Sequence, residues 1–286
     1  MLVKFFHLLS KLPLRALHGG GAALGWLVYL ASPAYRRRLD ENLALAGHAA
    51  HRHDAIAQAG KGMLELPFIW CGAPQRVLST ATVANWEVVQ EALDGGRGVI
   101  LLTPHLGCFE ITAQAVARHI PLMVLYRPPR KAALKPLIEE ARARDNLELA
   151  PANLTGVRML AKRLKQGMAI GLLPDQVPQQ GEGVWADFFG KPAYTMTLPA
   201  KLHRMTGAPL LLTYAERLPK GRGFSIRFAR FDGTLEGGAE QQARAINAAM
   251  ESLIARAPGQ YLWSYNRYKT PPGARPRDPA AQGGQA

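Results

Sequence analysis

Gly98-Val99-Ile100-Leu101-Leu102-Thr103-Pro104-His105-Leu106-Gly107-Cys108-Phe109-Glu110 is the stretch on which the fold turns. Its first part, 99–102, is short, wholly apolar and β-branched at its start, the pattern of a strand buried on both faces. Thr103-Pro104 halts that strand, and residues 111–118 run on as a helix. Upstream, Gly95, Gly96 and Gly98 punctuate a turn. Before that, residues 35–73 read as helical, because Leu39, Leu43, Met63, Leu66, Ile69 and Trp70 recur at helical intervals. Downstream the alternation repeats: strands are predicted over 122–126, 168–173, 209–215 and 224–231, and helices over 131–144, 157–166, 197–205 and 241–257. A polar loop is expected from 174 to 192. Strand and helix alternating at this pitch predict an α/β fold, a mostly parallel or mixed central sheet flanked by helices.

The chain has 286 residues, enough for one full-sized core, and a formal net charge of +14. That surface suits an anionic partner such as a bilayer or an acidic protein. Nucleic acid is not expected, since no recognition motif appears and aromatic residues do not interleave with the basic ones. Cys71 and Cys108 are far apart and show no metal spacing, so both read as reduced, packed thiols. His48, His51 and His53 cluster in a polar segment without a Cys or an acidic spacing that suggests a site, and no metal is expected. At the amino terminus, Lys4, Lys11 and Arg15 precede an apolar run over 16–32, followed by Pro33 and Arg36-Arg37-Arg38. As a helix the run spans roughly 25 Å, short of a bilayer core of about 30 Å, and Gly19-Gly20-Gly21 weakens it further. Residues 1–34 are therefore expected to form a membrane-anchor helix, spanning at a tilt or lying in the interface. A main domain over 35–270 and a disordered tail over 271–286 complete the organisation.

His105 stands just past the end of a buried strand, where open α/β sheets place their ligands. Glu110 falls in the first turn of the next helix, and Gly107 permits the bend that brings the two together. A carboxylate on one ring nitrogen fixes the tautomer and leaves the other nitrogen free to take a proton. His105 and Glu110 are thus expected as a catalytic pair in which the imidazole is general base toward an alcohol. Cys108, inside the same stretch, reads as a packed thiol and not as a nucleophile.

Taken whole, residues 98–110 resemble the first block of the lipid A biosynthesis (lauroyl/myristoyl) acyltransferases, within the wider HX4D/E glycerolipid acyltransferase superfamily. Residues 38–46 (RLDENLALA) are similar to the signature that follows that family's anchor. Leu173-Pro174-Asp175-Gln176, continuing to Phe188-Phe189-Gly190-Lys191-Pro192-Ala193, resembles the third block, and Thr197-Leu198-Pro199-Ala200 with Thr206-Gly207-Ala208-Pro209 the fourth. The resemblance implies a membrane-bound O-acyltransferase at the cytoplasmic face of a bacterial inner membrane. It would move a fatty acyl chain from a thioester on acyl carrier protein or coenzyme A, as co-substrate and without a resident cofactor, to a hydroxyl of a lipid A precursor. A lysophospholipid, glycolipid or aminolipid acceptor, or a non-catalytic basic protein of the membrane surface, are the other readings. It further implies Asp175 as a substrate-binding or supporting residue and an arginine downstream of the pair, for which Arg127, Arg142, Arg144 and Arg158 compete, Arg142 or Arg144 matching best. The basic helix with Lys162, Arg163 and Lys165 suits an acidic carrier protein or anionic headgroups. Trp185, Phe188 and Phe189 are expected to line an acyl channel, to dip into the interface, or simply to pack.

Overall fold

A computed structural model describes residues 2–126 and 146–274. Its centre is a seven-stranded sheet formed by β1 (Ala81–Ala84), β2 (Val99–Leu102), β3 (Leu122–Tyr126), β4 (Leu147–Pro151), β5 (Ala169–Leu172), β8 (Leu210–Arg217) and β9 (Phe224–Arg230). The order across the sheet is β1-β9-β8-β2-β5-β3-β4. The five strands from β8 to β4 are mutually parallel, while β9 runs antiparallel to β8 and β1 runs parallel to β9. The sheet is thus mostly parallel, as its apolar runs foretell. β2 lies at its middle, and Val99, Ile100, Leu101 and Leu102 are all buried.

Both faces are covered. Ile100 and Leu102 point into one apolar core and Val99 and Leu101 into another, the alternation that a period of two demands. The first core takes Leu39 and Leu43 from α3 (Pro33–Leu45), Leu160 and Leu164 from α8 (Leu154–Lys165), Leu202 from α9 (Leu198–Thr206), and Ile246 and Met250 from α10 (Ala239–Ile254). The second takes Leu17 from α2 (Leu14–Ala31), Val77 from α5 (Pro74–Leu78), Val89 from α6 (Glu87–Asp94) and Ile111 from α7 (Phe109–Ala117). α4 (Arg52–Cys71) reaches both, with Ile56 in the first and Phe68 in the second. Local chemistry sets the ends: Ser32 caps α3 with Pro33 in its first turn, and the Asn153 side chain accepts from the Gly156 amide to open α8.

Several expectations are corrected. The helical stretch 35–73 is two helices, parted near Gly47. The loop expected over 174–192 contains the antiparallel hairpin of β6 (Gly183–Phe188) and β7 (Lys191–Met196). The segment holding β1 and α6, and the strand β4, had not been anticipated. The predicted helix 131–144 and the tail from 275 lie outside the described residues.

The amino terminus departs most. α1 (Leu2–Ser10) and α2 are separate helices, and among the described residues no helix is long and apolar enough to cross a membrane. One face of α2 is given over to protein: Gly25 lies against Gly60 of α4 so closely that a Cβ on Gly60 would fall 2.0 Å from the Gly21 carbonyl oxygen. His18, on the same face, is buried and bonded to Glu65 of α4 at 3.0 Å. Of the glycine triplet only Gly21 takes part in this contact, and with Gly25 and Gly60 it lets the two helices touch backbone to backbone.

Candidate active site

The chain leaves β2 through Thr103-Pro104 and turns back against β8. Gly107 has φ +60°, and a Cβ there would come 1.9 Å from the Ala215 carbonyl oxygen, so only glycine fits. The loop is pinned along its length. The Gly107 amide donates to the Gln260 carbonyl (3.0 Å), the Cys108 amide to the Ala215 carbonyl (2.9 Å), and the Leu262 amide to the His105 carbonyl (3.1 Å).

On this loop His105 meets Asp175, three residues past the end of β5. Its Nδ1–H donates to Asp175 Oδ1 at 2.8 Å, and its backbone N–H donates to Oδ2 at 2.9 Å. Asp175 is 1% exposed. Burial pushes its carboxyl up, but the His105 ring and amide, with Arg267 beyond them, hold it below the usual carboxylate range. An ionised, acceptor-only carboxylate keeps the proton on Nδ1 and leaves Nε2 with its lone pair. That nitrogen receives the Gln176 side-chain amide at 3.0 Å.

The sequence reading gave this carboxylate's place to Glu110, and the structure gives it to Asp175. Glu110 instead accepts a bond from Trp70 Nε1 through Oε2 at 3.0 Å. Its position in the first turn of α7 points the side chain toward α4, while the loop delivers His105 to the β5 end. Glu110 and His105 nevertheless line one cavity of about 550 Å³, together with Gln176. Phe109, Val124, Leu125, Leu154, Val157 and Leu173 give that cavity apolar walls.

Behind Asp175 lies a buried polar cluster that the sequence reading missed. Burial, with the charge of Asp175, pushes the Tyr261 hydroxyl's pKa far up, so it stays neutral. Arg267, 2% exposed, donates to the Tyr194 carbonyl (2.8 Å) and to Thr195 Oγ1 (2.7 Å). The available signal was the stretch from Tyr261 to Tyr268, dense in aromatics around one arginine near the end of the fold. Gln176 and Trp70 offered none beyond their neighbours.

Other candidates fall as follows. Arg127, Arg142 and Arg144 lie outside the described residues, and Arg158 is exposed on α8. Lys162 and Lys165 are exposed on that helix, whereas Arg163 is bonded to Glu148 through Nε at 3.2 Å. Phe188 is 1% exposed in the first core, with Phe189 against it, and Trp185 meets the Tyr194 ring, which favours the packing reading for all three. Cys108 is buried, and burial and the nearby Glu65 push its thiol well up, which disfavours a thiolate nucleophile.

A sequence model of the bacterial lipid A biosynthesis acyltransferases matches residues 1–270. The chain belongs to this family. Among its relatives, the acyltransferase is 27% identical to the lipid A biosynthesis lauroyltransferase of Escherichia coli K12 over 74% of this chain and 70% of that one. It is also 27% identical to the lipid A biosynthesis palmitoleoyltransferase of the same organism, over 85% of this chain and 82% of the other. A phosphatidylinositol mannoside acyltransferase of Mycobacterium tuberculosis is 29% identical over 50% of this chain and 46% of its own. The α/β architecture expected from the alternation of strands and helices is present in this chain, and the acyltransferase class expected from the blocks around 98–110 and 173–193 is that of the family.

Proposed function

We propose that the acyltransferase moves a fatty acyl group from a thioester, on acyl carrier protein or coenzyme A, to a hydroxyl of a lipid A precursor, with His105 as general base. The observation that carries this reading is a tautomer-fixed imidazole at the wall of an apolar cavity of about 550 Å³. The acceptor hydroxyl displaces the Gln176 amide from His105 Nε2 and gives up its proton there. Its oxygen attacks the thioester carbonyl, the tetrahedral adduct expels the thiolate, and the imidazolium returns the proton to that sulfur. Asp175 holds the ring and favours its charged form, which places it as a positioning residue. Glu110 adds a second carboxylate at the cavity wall. Positioned general bases contribute about 10² to 10⁴ in rate, and each methylene buried in the cavity about 0.8 kcal/mol of binding. No covalent acyl-enzyme is needed.

The same reading places the enzyme on the cytoplasmic face of the inner membrane by surface contact. Val3, Phe5, Leu8 and Leu12 are exposed on or beside α1, with Leu27 and Leu30 exposed on α2 and Lys4 and Lys11 nearby, the composition of an interfacial helix. Lys162 and Lys165 on α8 offer cations to an acidic carrier protein.

The test is acyl transfer by the purified full chain. A lipid A precursor is offered beside lysophospholipid and glycolipid acceptors, with carrier-protein and coenzyme A donors in parallel, and products are read by mass spectrometry. We expect the lipid A precursor to gain one acyl chain and His105→Ala to lose at least 10³-fold in turnover. Turnover by His105→Ala within tenfold of the parent, or an acyl group trapped on Cys108, overturns the mechanism. Transfer to another acceptor alone overturns the substrate.

A further inference from the structure

A second cavity, of about 650 Å³, shares no lining residue with the first. It lies among α2, α4 and the turn Pro219–Gly221 that joins β8 to β9. Its floor is electrically settled. Arg217, 3% exposed, donates from Nε to Glu65 Oε2 (2.7 Å) and from Nη1 to Gln58 Oε1 (2.8 Å), and His18 completes the Glu65 site. Its walls are not. Arg15, Lys61 and Lys220 all line the cavity, and among the described residues none has a carboxylate or hydrogen-bond partner. Of the lining carboxylates, Glu216 faces Arg227 at 3.7 Å and Asp54 accepts from Gln58 Nε2 at 3.1 Å.

Three cations drawn from three separate elements converge on one concavity with only Asp54 unneutralised against them. The backbone at Lys220 has φ +57°, a left-handed conformation that a side chain disfavours, within a turn packed on α2. A lysine at this position costs strain that a glycine would not. A phosphate group presents several acceptor oxygens to surrounding cations at once, and lysine serves it as a point charge.

We propose that this cavity binds the phosphate group of a glycerophospholipid, separately from the cavity at His105. The phosphate sits among Arg15, Lys61 and Lys220, and a headgroup hydroxyl donates to Asp54. Leu12, three residues before Arg15 in the segment joining α1 to α2, is 42% exposed, an apolar side chain close in sequence to the cavity's cations.

The experiment is calorimetric titration of the full chain with dihexanoyl phosphatidylglycerol, with dihexanoylglycerol, which lacks the phosphate, and with inorganic phosphate. We expect the phosphatidylglycerol to bind, dihexanoylglycerol not to, and Lys61→Ala/Lys220→Gly to weaken binding at least tenfold. Lys220→Gly alone is expected to raise the thermal midpoint while weakening binding, which separates loss of the amine from loss of the fold. Displacement of the lipid by inorganic phosphate at similar concentration assigns the site to phosphate from any source, and failure to displace assigns it to the lipid. Equal binding of both lipids, or a double variant within twofold of the parent, overturns the proposal. His105→Ala is expected to bind the probe as the parent does, so this result and the catalytic one fail independently.

Discussion

Replacing Asp175 by Asn tests the site with the smallest change of shape. In the parent, both carboxylate oxygens accept: Oδ1 from His105 Nδ1–H at 2.8 Å and Oδ2 from the His105 amide at 2.9 Å. Asparagine has one acceptor and one donor group. If its oxygen keeps the backbone amide, its NH₂ faces Nδ1, donates to it, and moves the ring proton to Nε2. The lone pair then sits on the wrong nitrogen and the general base is lost. If the oxygen keeps Nδ1–H instead, the NH₂ opposes the backbone N–H, leaving buried donors unsatisfied at about 1–3 kcal/mol. Either arrangement also removes the negative charge that favours the imidazolium. We expect turnover to fall about 10³- to 10⁴-fold, the full worth of a general base and its charged partner, with a stability loss of no more than about 3 kcal/mol. Steady-state kinetics with the acyl-thioester donor and a denaturant melt on the same protein read both numbers. Turnover within fivefold of the parent, in a variant that remains folded, would refute the role given to Asp175.

Further outcomes follow from the same contacts. Glu110→Gln keeps an acceptor for Trp70 Nε1 but loses the charge, so we expect at least a tenfold loss of turnover with an unchanged melting temperature; the reverse pattern assigns Glu110 to structure. Glu65 is buried, and although burial raises its pKa, Arg217 brings it down to about 2. A carboxyl lowered on folding stabilises above its unfolded value and loses that contribution as pH falls. Roughly 3 kcal/mol should therefore drain away between about pH 4.5 and pH 2, and denaturant melts of Glu65→Gln, itself about 3–5 kcal/mol less stable through an unpaired Arg217, should show a shallower acid slope. Gly60→Ala drives a methyl to 2.0 Å from the Gly21 carbonyl oxygen; α2 must move off α4, at a cost of at least about 1–3 kcal/mol, and a melt unchanged by the substitution would contradict that contact. Phe5→Ser with Leu8→Ser removes two exposed apolar side chains of α1 and should reduce sedimentation with anionic vesicles severalfold at unchanged stability.

How much of this was legible beforehand depends on the range of the forces involved. The short continuous apolar runs at β2, β3, β5 and β8, and the alternating one at β9, carry their strands locally, and so the sheet was readable. The hairpin of β6 and β7 was not, because its turn is built on Phe189 (φ +49°) and Gly190 (φ +72°), and a left-handed phenylalanine is not the residue from which such turns are recognised. Asp175 was named only for a loose substrate or supporting role, since nothing in a local window links residues 70 apart. The link lies in the sheet. β2 and β5 are parallel neighbours in the register Val99↔Ala169 through Leu102↔Leu172, an offset of 70 residues. Continued past both strand ends, that register sets residue 105 opposite residue 175. Local spacing favoured Glu110, one bend away along the chain, but α7 carries that side chain toward Trp70. Strand order and register therefore decide which carboxylate meets the imidazole. A one-residue slip of β5 against β2 would turn Asp175 to the opposite face of the sheet, and His105 would lose both bonds at once.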